Sequence, residues 1–162
     1  MRKLLLSLIV AAGLYASAGE AHASSLMRTP GSFGIGFGQG WAGGFSGKYV
    51  MADMMAVQGS LGVHGHGWGA SGVVAFGADI LFLMPLLHSD EAFEMGWNVG
   101  LGPGISLWTS GLGLGAQAVV GFELNMKVIP IDLVFEYRPG FRMLPDFRFA
   151  IFNFGGHIRL YF

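Results

Sequence analysis

Cysteine is absent from the 162 residues, so the chain has neither a disulfide framework nor a thiolate metal site. Charged residues are scarce too, at 12% of the chain. Positions 24–162 carry seven Lys or Arg and nine Asp or Glu, which excludes the basic surface that nucleic-acid binding requires. In their place the chain has 52% hydrophobic residues and 28 glycines. This composition is unusual for a soluble domain and favours a membrane protein.

A convincing transmembrane helix is also missing from the sequence pattern. The longest stretch without a formal charge, Met95–Phe122, has sufficient length to cross a bilayer but contains eight glycines and Pro103. Each glycine costs roughly 1 kcal/mol in a helix relative to alanine. Asn98 and Gln117 make the stretch still less apolar. The sequence therefore argues against helical membrane spans.

The N-terminus has the layout of a cleavable secretory signal peptide. Arg2 and Lys3 precede an apolar stretch, Leu4–Leu14, and Ala21-His22-Ala23 forms a small-x-small cleavage pattern. The alternative, a membrane anchor, would need roughly 20 apolar residues, about twice what is present. We expect residues 1–23 to be the signal peptide, 24–31 an N-terminal periplasmic segment, and 32–162 an outer-membrane barrel.

Apolar and polar residues alternate with a period of two, which is the pattern of β-strands. In the clearest example the polar side chains are Asp132, Glu136, Arg138 and Arg142. The opposite face of that segment carries Ile131, Leu133, Phe135, Tyr137, Phe141 and Met143. In an outer-membrane barrel the apolar face meets lipid and the polar face lines the interior.

The turns between the alternating segments predict an all-β fold, an eight-stranded antiparallel transmembrane β-barrel of the up-and-down type. An even strand number places both termini on the periplasmic side. The outer loops are short, and the longest connection, Met84–Glu94, falls on the periplasmic side. The predicted strands are Ser32–Gly40, Gly44–Met51, Ala56–His64, Gly72–Leu83, Met95–Trp108, Leu112–Asn125, Ile131–Met143 and Phe147–Phe162.

Strand parity directs a balanced set of charges into the interior. An eight-stranded barrel is only wide enough for side chains to fill it, and buried charges must pair. This favours a plugged interior over a water-filled lumen. We expect Glu136 to pair with Arg138, with Arg142 and Arg159 as the alternative partners. The predicted luminal network comprises Lys48, Asp79, Glu123, Asp132, Glu136, Arg138, Arg142, His157 and Arg159.

The chain ends on an alternating strand with an aromatic terminus, as barrel closure requires. This end resembles the signal that outer-membrane assembly machinery reads, and its residues are Phe154, Ile158, Leu160, Tyr161 and Phe162. Aromatic belts are expected at both membrane interfaces. We place Trp41, Trp68 and Trp108 in the outer belt, and Trp97 and Phe162 near the inner end.

Several stretches resemble an uncharacterised family of small outer-membrane barrels from Gram-negative bacteria. They are "SGKYVMADMMAVQGSLG", "FGADILF", "VGLGPGI", "IPIDLVFEYRPGF" and "GGHIRLYF", in this order along nearly all of the chain after position 23. The resemblance implies an eight-stranded barrel and carries over no active-site residue.

Three other patterns resemble functional motifs but lack the neighbouring residues that the corresponding chemistry needs. Gly38 to Gly43 has the spacing of a dinucleotide fingerprint but lacks the helix and the acidic residue that such a site needs. His64 and His66 form a His-x-His pair without a carboxylate nearby to complete a metal site. Ser46, Ser60, Ser106 and Ser110 have no evident histidine partner for nucleophilic catalysis.

The sequence thus predicts a non-enzymatic, porin-like protein of the cell outer membrane that serves envelope structure or surface interaction. Its expected partners are outer-membrane lipids and the barrel assembly machinery, with no nucleic acid, cofactor or metal. The alternatives are a narrow channel for small solutes or ions, a ligand-binding barrel, and a lipid-modifying enzyme with its site at the rim.

Overall fold

A computed structural model describes residues 26–64, 74–108 and 111–162. These residues form one short 3-10 helix, Leu26–Arg28, and eleven strands. No helix in these ranges has the length and apolar character needed to cross a membrane. The strands are β1 Phe33–Gln39, β2 Ala42–Ala52, β3 Met55–His64, β4 Val74–Leu83, β5 His88–Ser89, β6 Phe93–Trp108, β7 Gly111–Met126, β8 Ile131–Tyr137, β9 Gly140–Leu144, β10 Arg148–Ala150 and β11 Phe154–Tyr161.

The sheet closes on itself because β1 pairs antiparallel with β11, with Ile35 opposite Leu160. Both β8 and β9 pair with β7 and together form the seventh strand of the wall. β10 pairs with β9 and β11 with β8, so these two form the eighth strand. The predicted closed eight-stranded antiparallel barrel is confirmed.

The first six predicted strands agree with the structure to within two residues at each end. The last two are each interrupted, where a continuous strand was predicted. The seventh breaks between Tyr137 and Gly140, where Pro139 has no N–H to donate to the ladder. The two-residue strand β5, which pairs His88 with Met95, was not predicted.

Apolar side chains point out of the barrel and polar ones point in, with a period of two. On β4, the side chains of Phe76 and Ile80 are half-exposed, whereas Ala75, Asp79 and Leu81 are buried. The same alternation follows every long strand of the wall. The interior also contains a small apolar cluster, formed by Val50, Ala56, Leu81, Leu83 and Val119.

The prediction that Trp41 lies in an outward aromatic belt is wrong. Trp41 has no exposed surface, and its indole N–H donates to Ser106 Oγ inside the barrel at 3.1 Å. A Cβ on Gly104 would lie 1.9 Å from the indole, and one on Gly115 would lie 2.4 Å from it. Trp41 enters because these glycines leave a space that its large apolar ring fills.

Of the other predicted belt residues, the structure describes the side chains of Trp97 and Phe162. Trp97 is half-buried on the outward face of β6, and Phe162 is largely exposed. Trp68 and the side chain of Trp108 lie outside what the structure describes.

The two ends of the barrel are built differently. At the terminal end, which carries both β1's start and β11's end, Met27 and Arg28 are buried in the opening. The turn after β5 is held by Asp90, whose Oδ1 accepts the backbone N–H groups of Phe93 at 2.9 Å and Ala92 at 2.7 Å. These N–H groups hold the pKa of Asp90 below its usual value. At the far end, β9 and β10 form a hairpin over the rim.

Candidate functional site

All nine residues of the predicted luminal network lie inside the barrel, each at most 5% exposed. The structure brings them together in two groups of hydrogen bonds and ion pairs, with Arg142 apart at the far end. Because the charges come from several different strands, they connect opposite walls of the barrel.

The central group is organised by Arg138. Arg138 directly follows β8, and its guanidinium forms ion pairs with Glu136 on β8 and with Asp79 on β4. His157 Nε2 lies 2.9 Å from Glu136 Oε2, and Gln58 Nε2 donates to Glu136 Oε1 at 3.0 Å. Of the three arginines considered as partners of Glu136, the structure therefore selects Arg138.

A second part of the central group surrounds Asp132. Arg159 Nε donates to both carboxylate oxygens of Asp132 at 3.1 Å. Tyr161 donates its hydroxyl to Asp132 Oδ2 at 2.8 Å. Arg159 Nη1 also donates to Gln58 Oε1 at 2.6 Å, and this amide joins the two parts of the group. Satisfying both partners of each pair is what makes buried charge tolerable.

The other group fills the terminal end around Glu123. Lys48 Nζ lies 2.5 Å from Glu123 Oε1, and Asn98 Nδ2 donates to the same oxygen at 2.7 Å. Arg28 Nε lies 3.5 Å from Glu123 Oε2, and its other nitrogens donate to the carbonyls of Met84 and Trp97. Two cations therefore share one carboxylate.

Sequence reasoning missed two buried charges, Arg28 and Glu94. Arg28 precedes the first strand, where no alternation marks which way a side chain points. Glu94 is fully buried and pairs with Lys127 at 3.2 Å. It had been placed in a connection, but β6 begins at Phe93, so Glu94 has the inward parity of Asn98. Among the described residues, five buried cations then balance five buried carboxylates.

Arg142 belongs to the far end of the barrel. Its Nη2 donates to Asp146 Oδ1 at 2.5 Å, and Asp146 also pairs with the exposed Arg148. Arg142 and Arg148 are directly opposite in the β9–β10 hairpin. Asp146 thus bridges two cations at the rim, beyond the interior group around Arg138.

Gly38 pairs with Gly44 and Gln39 with Gly43, so the glycine-rich motif is the tip of the β1–β2 hairpin. His66 and the side chain of His64 lie outside the described residues. Within the described ranges, no group of three or more His, Cys, Asp or Glu could hold a metal ion.

The serines considered as nucleophiles do not share one environment. Ser46 and Ser60 are buried opposite each other on β2 and β3, and neither hydroxyl has a hydrogen-bond partner. Ser106 accepts the indole N–H of Trp41. Ser110 lies outside the described residues. The only histidine hydrogen-bonded to a buried carboxylate in the described part of the chain is His157.

The residues of the predicted assembly signal occupy both faces of the closing strand. Phe154, Ile158, Leu160 and Phe162 are exposed at 41–67% on the outer surface. Tyr161 is buried and hydrogen-bonded to Asp132. The last strand therefore contributes to the apolar exterior and to the polar interior.

Comparisons with known proteins identify no relative. No family model matches the chain, and no match to it was found among the curated proteins or the solved structures. The resemblance to a family of small outer-membrane barrels stays a prediction. The arguments for function consequently come from the barrel's own geometry.

Proposed function

We propose that this chain is a non-enzymatic integral protein of the outer membrane whose barrel interior is filled by its own side chains. It would serve envelope structure or surface interaction, exported by its N-terminal leader and inserted by the barrel assembly machinery. One observation carries the proposal: the apolar residues cover the outside of the closed barrel, while charged residues lie within it. A water-soluble barrel has the opposite arrangement.

The height of the apolar surface supports a membrane setting. On β4, outward apolar residues run from Val74 to Phe82. The eight steps between these residues, at about 3.3 Å each on a strand tilted by about 40°, cover about 20 Å along the barrel axis. This is close to the roughly 25 Å apolar band of outer-membrane barrels.

The interior supports a plugged barrel rather than an open pore. Arg138, just past the end of β8, connects this part of the wall to β4 across the barrel, and Arg159 reaches Gln58 on β3. Arg28 occupies the terminal end, and Trp41 fills the space near the far end. Side chains of this length leave little continuous space in an eight-stranded wall.

A narrow water-filled path is the second candidate, and buried polar atoms without a protein partner favour it. They include both side-chain polar atoms of Asn125 and the hydroxyls of Ser46 and Ser60. Such atoms require water if they are to be satisfied. Planar-bilayer recordings separate the two candidates: the plugged barrel gives no unitary steps, whereas a path for ions gives reproducible ones.

Cell fractionation tests the membrane proposal. We expect the expressed full chain in the outer-membrane fraction, migrating differently on gels before and after boiling, as folded barrels do. The Phe76→Asp variant should be absent from the outer-membrane fraction, because the substitution places a charge on the lipid-facing surface. Asp53→Asn, in the turn between β2 and β3, is the matched control and should keep it. A chain that stays soluble in the periplasm, or a Phe76→Asp variant that inserts normally, would contradict the proposal.

A further inference from the structure

A groove interrupts the outer surface beside the β9–β10 hairpin. Its volume is about 590 Å³, and its lining includes Leu101, Pro103, Ala116, Phe141, Phe149 and Ile151. Every side chain in this set is apolar. Gln117 also borders the groove, but its side chain is buried inside the barrel, where it is hydrogen-bonded to Asp79 and Arg138.

The groove exists because the seventh strand is broken. After Tyr137 the chain passes through Pro139, whose carbonyl accepts the N–H of Ala118 at 2.8 Å, and then resumes as β9. A Cβ on Gly140 would lie 2.6 Å from the carbonyl oxygen of Ala116, so the glycine lets the two strands meet closely. The small side chain of Ala116 keeps the floor low, and the aromatic hairpin forms a wall above it.

The wall belongs to a cluster of three phenylalanines, of which Phe141 and Phe149 line the groove. The rings of Phe147 and Phe149 meet edge to face with centroids 5.0 Å apart, and Phe141 lies within 6.5 Å of both. Phe147 is 63% exposed and Phe149 70% exposed. Exposed aromatics in such a cluster indicate a surface that another apolar group covers.

The register of the sheet gives the height of the groove. A continuous row of paired positions runs from Gly36 through Ser46, Ser60, Gly77, Gly104, Gly115 and Arg142 to Arg148. Each step rises about 3 Å along the axis in a barrel of this tilt. Gly104 therefore lies about 12 Å above the level of Gly36, and Arg148 about 20 Å above it. Pro103 and Phe149 are each one residue nearer the terminal end, at about 10 Å and about 18 Å above Gly36.

The groove thus runs obliquely across the strands, from the middle of the apolar surface towards its far edge. At its lower end Leu101 pairs with Ile80, and both are exposed on the surface that meets lipid in the proposed function. The groove and that surface are continuous, so the same apolar medium covers both.

We infer that this groove is a binding site for one acyl chain of a lipid in the surrounding bilayer, with the phenylalanine hairpin as its wall. The inference rests on the proposed function, because it requires the outer surface to lie in lipid. An acyl chain fits the apolar lining, the rise of the groove towards the far edge of the membrane, and the continuity of the groove with the lipid-facing surface. The site would hold a lipid more tightly than the rest of the outer surface does.

Native mass spectrometry of the full barrel, released from nanodiscs of palmitoyl-oleoyl phosphatidylethanolamine, tests the inference. We expect the wild type to retain one phospholipid. Ala116→Phe fills the floor of the groove and should lower the lipid-bound fraction at least tenfold. Val120→Phe lies on the same face of β7 but outside the groove, and should keep the bound lipid.

Heat-dependent gel migration of all three proteins separates the possible failures. If the wild type does not insert into nanodiscs, the proposed function fails. If all three proteins insert but the wild type is released without bound lipid, the acyl-chain site alone is refuted. It is also refuted if Ala116→Phe retains as much lipid as the wild type does. Should Ala116→Phe fail to fold, a phospholipid with a photoreactive diazirine in its acyl chain replaces it as the test on the wild type. Crosslinks concentrated on the peptides of Leu101, Ala116 and Phe141 support the site, and crosslinks spread evenly around the barrel overturn it.

Discussion

Replacement of Glu136 by glutamine tests the buried charge network at its best-connected point. Glu136 has no exposed surface and contacts Arg138, His157 and Gln58. The glutamine keeps the shape and one acceptor oxygen but removes the negative charge. Arg138 then has only Asp79 as an ionised partner in the described part of the network.

Removing one member of a buried ion pair costs about 3–5 kcal/mol, because the remaining charge is left without full compensation. Asp79 stays beside Arg138, so we expect the lower end, about 3 kcal/mol. With a slope of about 2 kcal/mol per molar urea, the unfolding midpoint should fall by roughly 1–2 M. The measurement is reversible urea unfolding of the barrel in lipid.

Arg138→Met should be the more damaging single change, because it leaves both Glu136 and Asp79 without their shared cation. The triple variant Asp79→Asn, Glu136→Gln, Arg138→Met removes all three charges together. Its loss of stability should be well below the sum of the three single losses, because replacing a whole ionic group costs less than breaking it.

Arg142→Met is the matched control for this cycle. Arg142 pairs with Asp146 at the far end, so its effect should add to that of Glu136→Gln without coupling. An unchanged midpoint for Glu136→Gln, together with no coupling to Arg138, would show that the interior is hydrated and the charges screened. The plugged barrel would then give way to the narrow path.

Three further predictions concern the closing strand, the buried indole and the turn at the terminal end. Ile158→Asp, or deletion of Phe162, should remove the protein from the outer-membrane fraction, and an undiminished heat-modifiable barrel would refute the proposed assembly signal. Trp41→Ala should cost about 3–5 kcal/mol in urea unfolding through the cavity it leaves, and Trp97→Ala on the outer face should cost less; equal losses would contradict the interior position of Trp41. The lowered pKa of Asp90 means that its carboxylate stabilises the turn above about pH 4 and that this contribution is lost as the pH falls through the lower folded-state value. The protection factor of the Phe93 amide, which is the intrinsic exchange rate divided by the observed rate at the same pH, should therefore fall in acid for the wild type, while Asp90→Asn, which does not titrate, should show no such fall.

The alternation of apolar and polar residues was sufficient to predict the barrel and the direction of its side chains. A period of two fixes which face each strand residue joins, so positions such as Lys48 and Glu123 could be placed inside from the sequence alone. The same rule makes no prediction for residues in turns. Trp41 lies between β1 and β2, outside any alternating segment, and its inward direction depends on space left by glycines on β6 and β7.

Which charged residues pair inside the barrel could not be predicted from the sequence, for a related reason. Arg138 and Asp79 are 59 positions apart; Arg138 directly follows β8 and Asp79 lies on β4, and these strands do not pair with each other. Their meeting depends on the stagger of all the intervening strands, which no local pattern encodes. The strand break that creates the outer groove was also missed, although Pro139 and Gly140 were the available signal.

The central claim, that an apolar exterior in lipid encloses a charged interior, is tested most directly by a spin-label scan of β4. The chain has no cysteine, so single cysteines placed in turn at positions 74–83 carry the only label. In lipid vesicles, we expect labels at Phe76, Ile80 and Phe82 to collide readily with oxygen and rarely with a water-soluble nickel complex. Labels at Ala75 and Asp79 should be shielded from both reagents, giving a period of two along the strand. Ready collision of the nickel complex with the labels at Phe76 and Ile80 would mean that the apolar face meets water, and the account would be wrong.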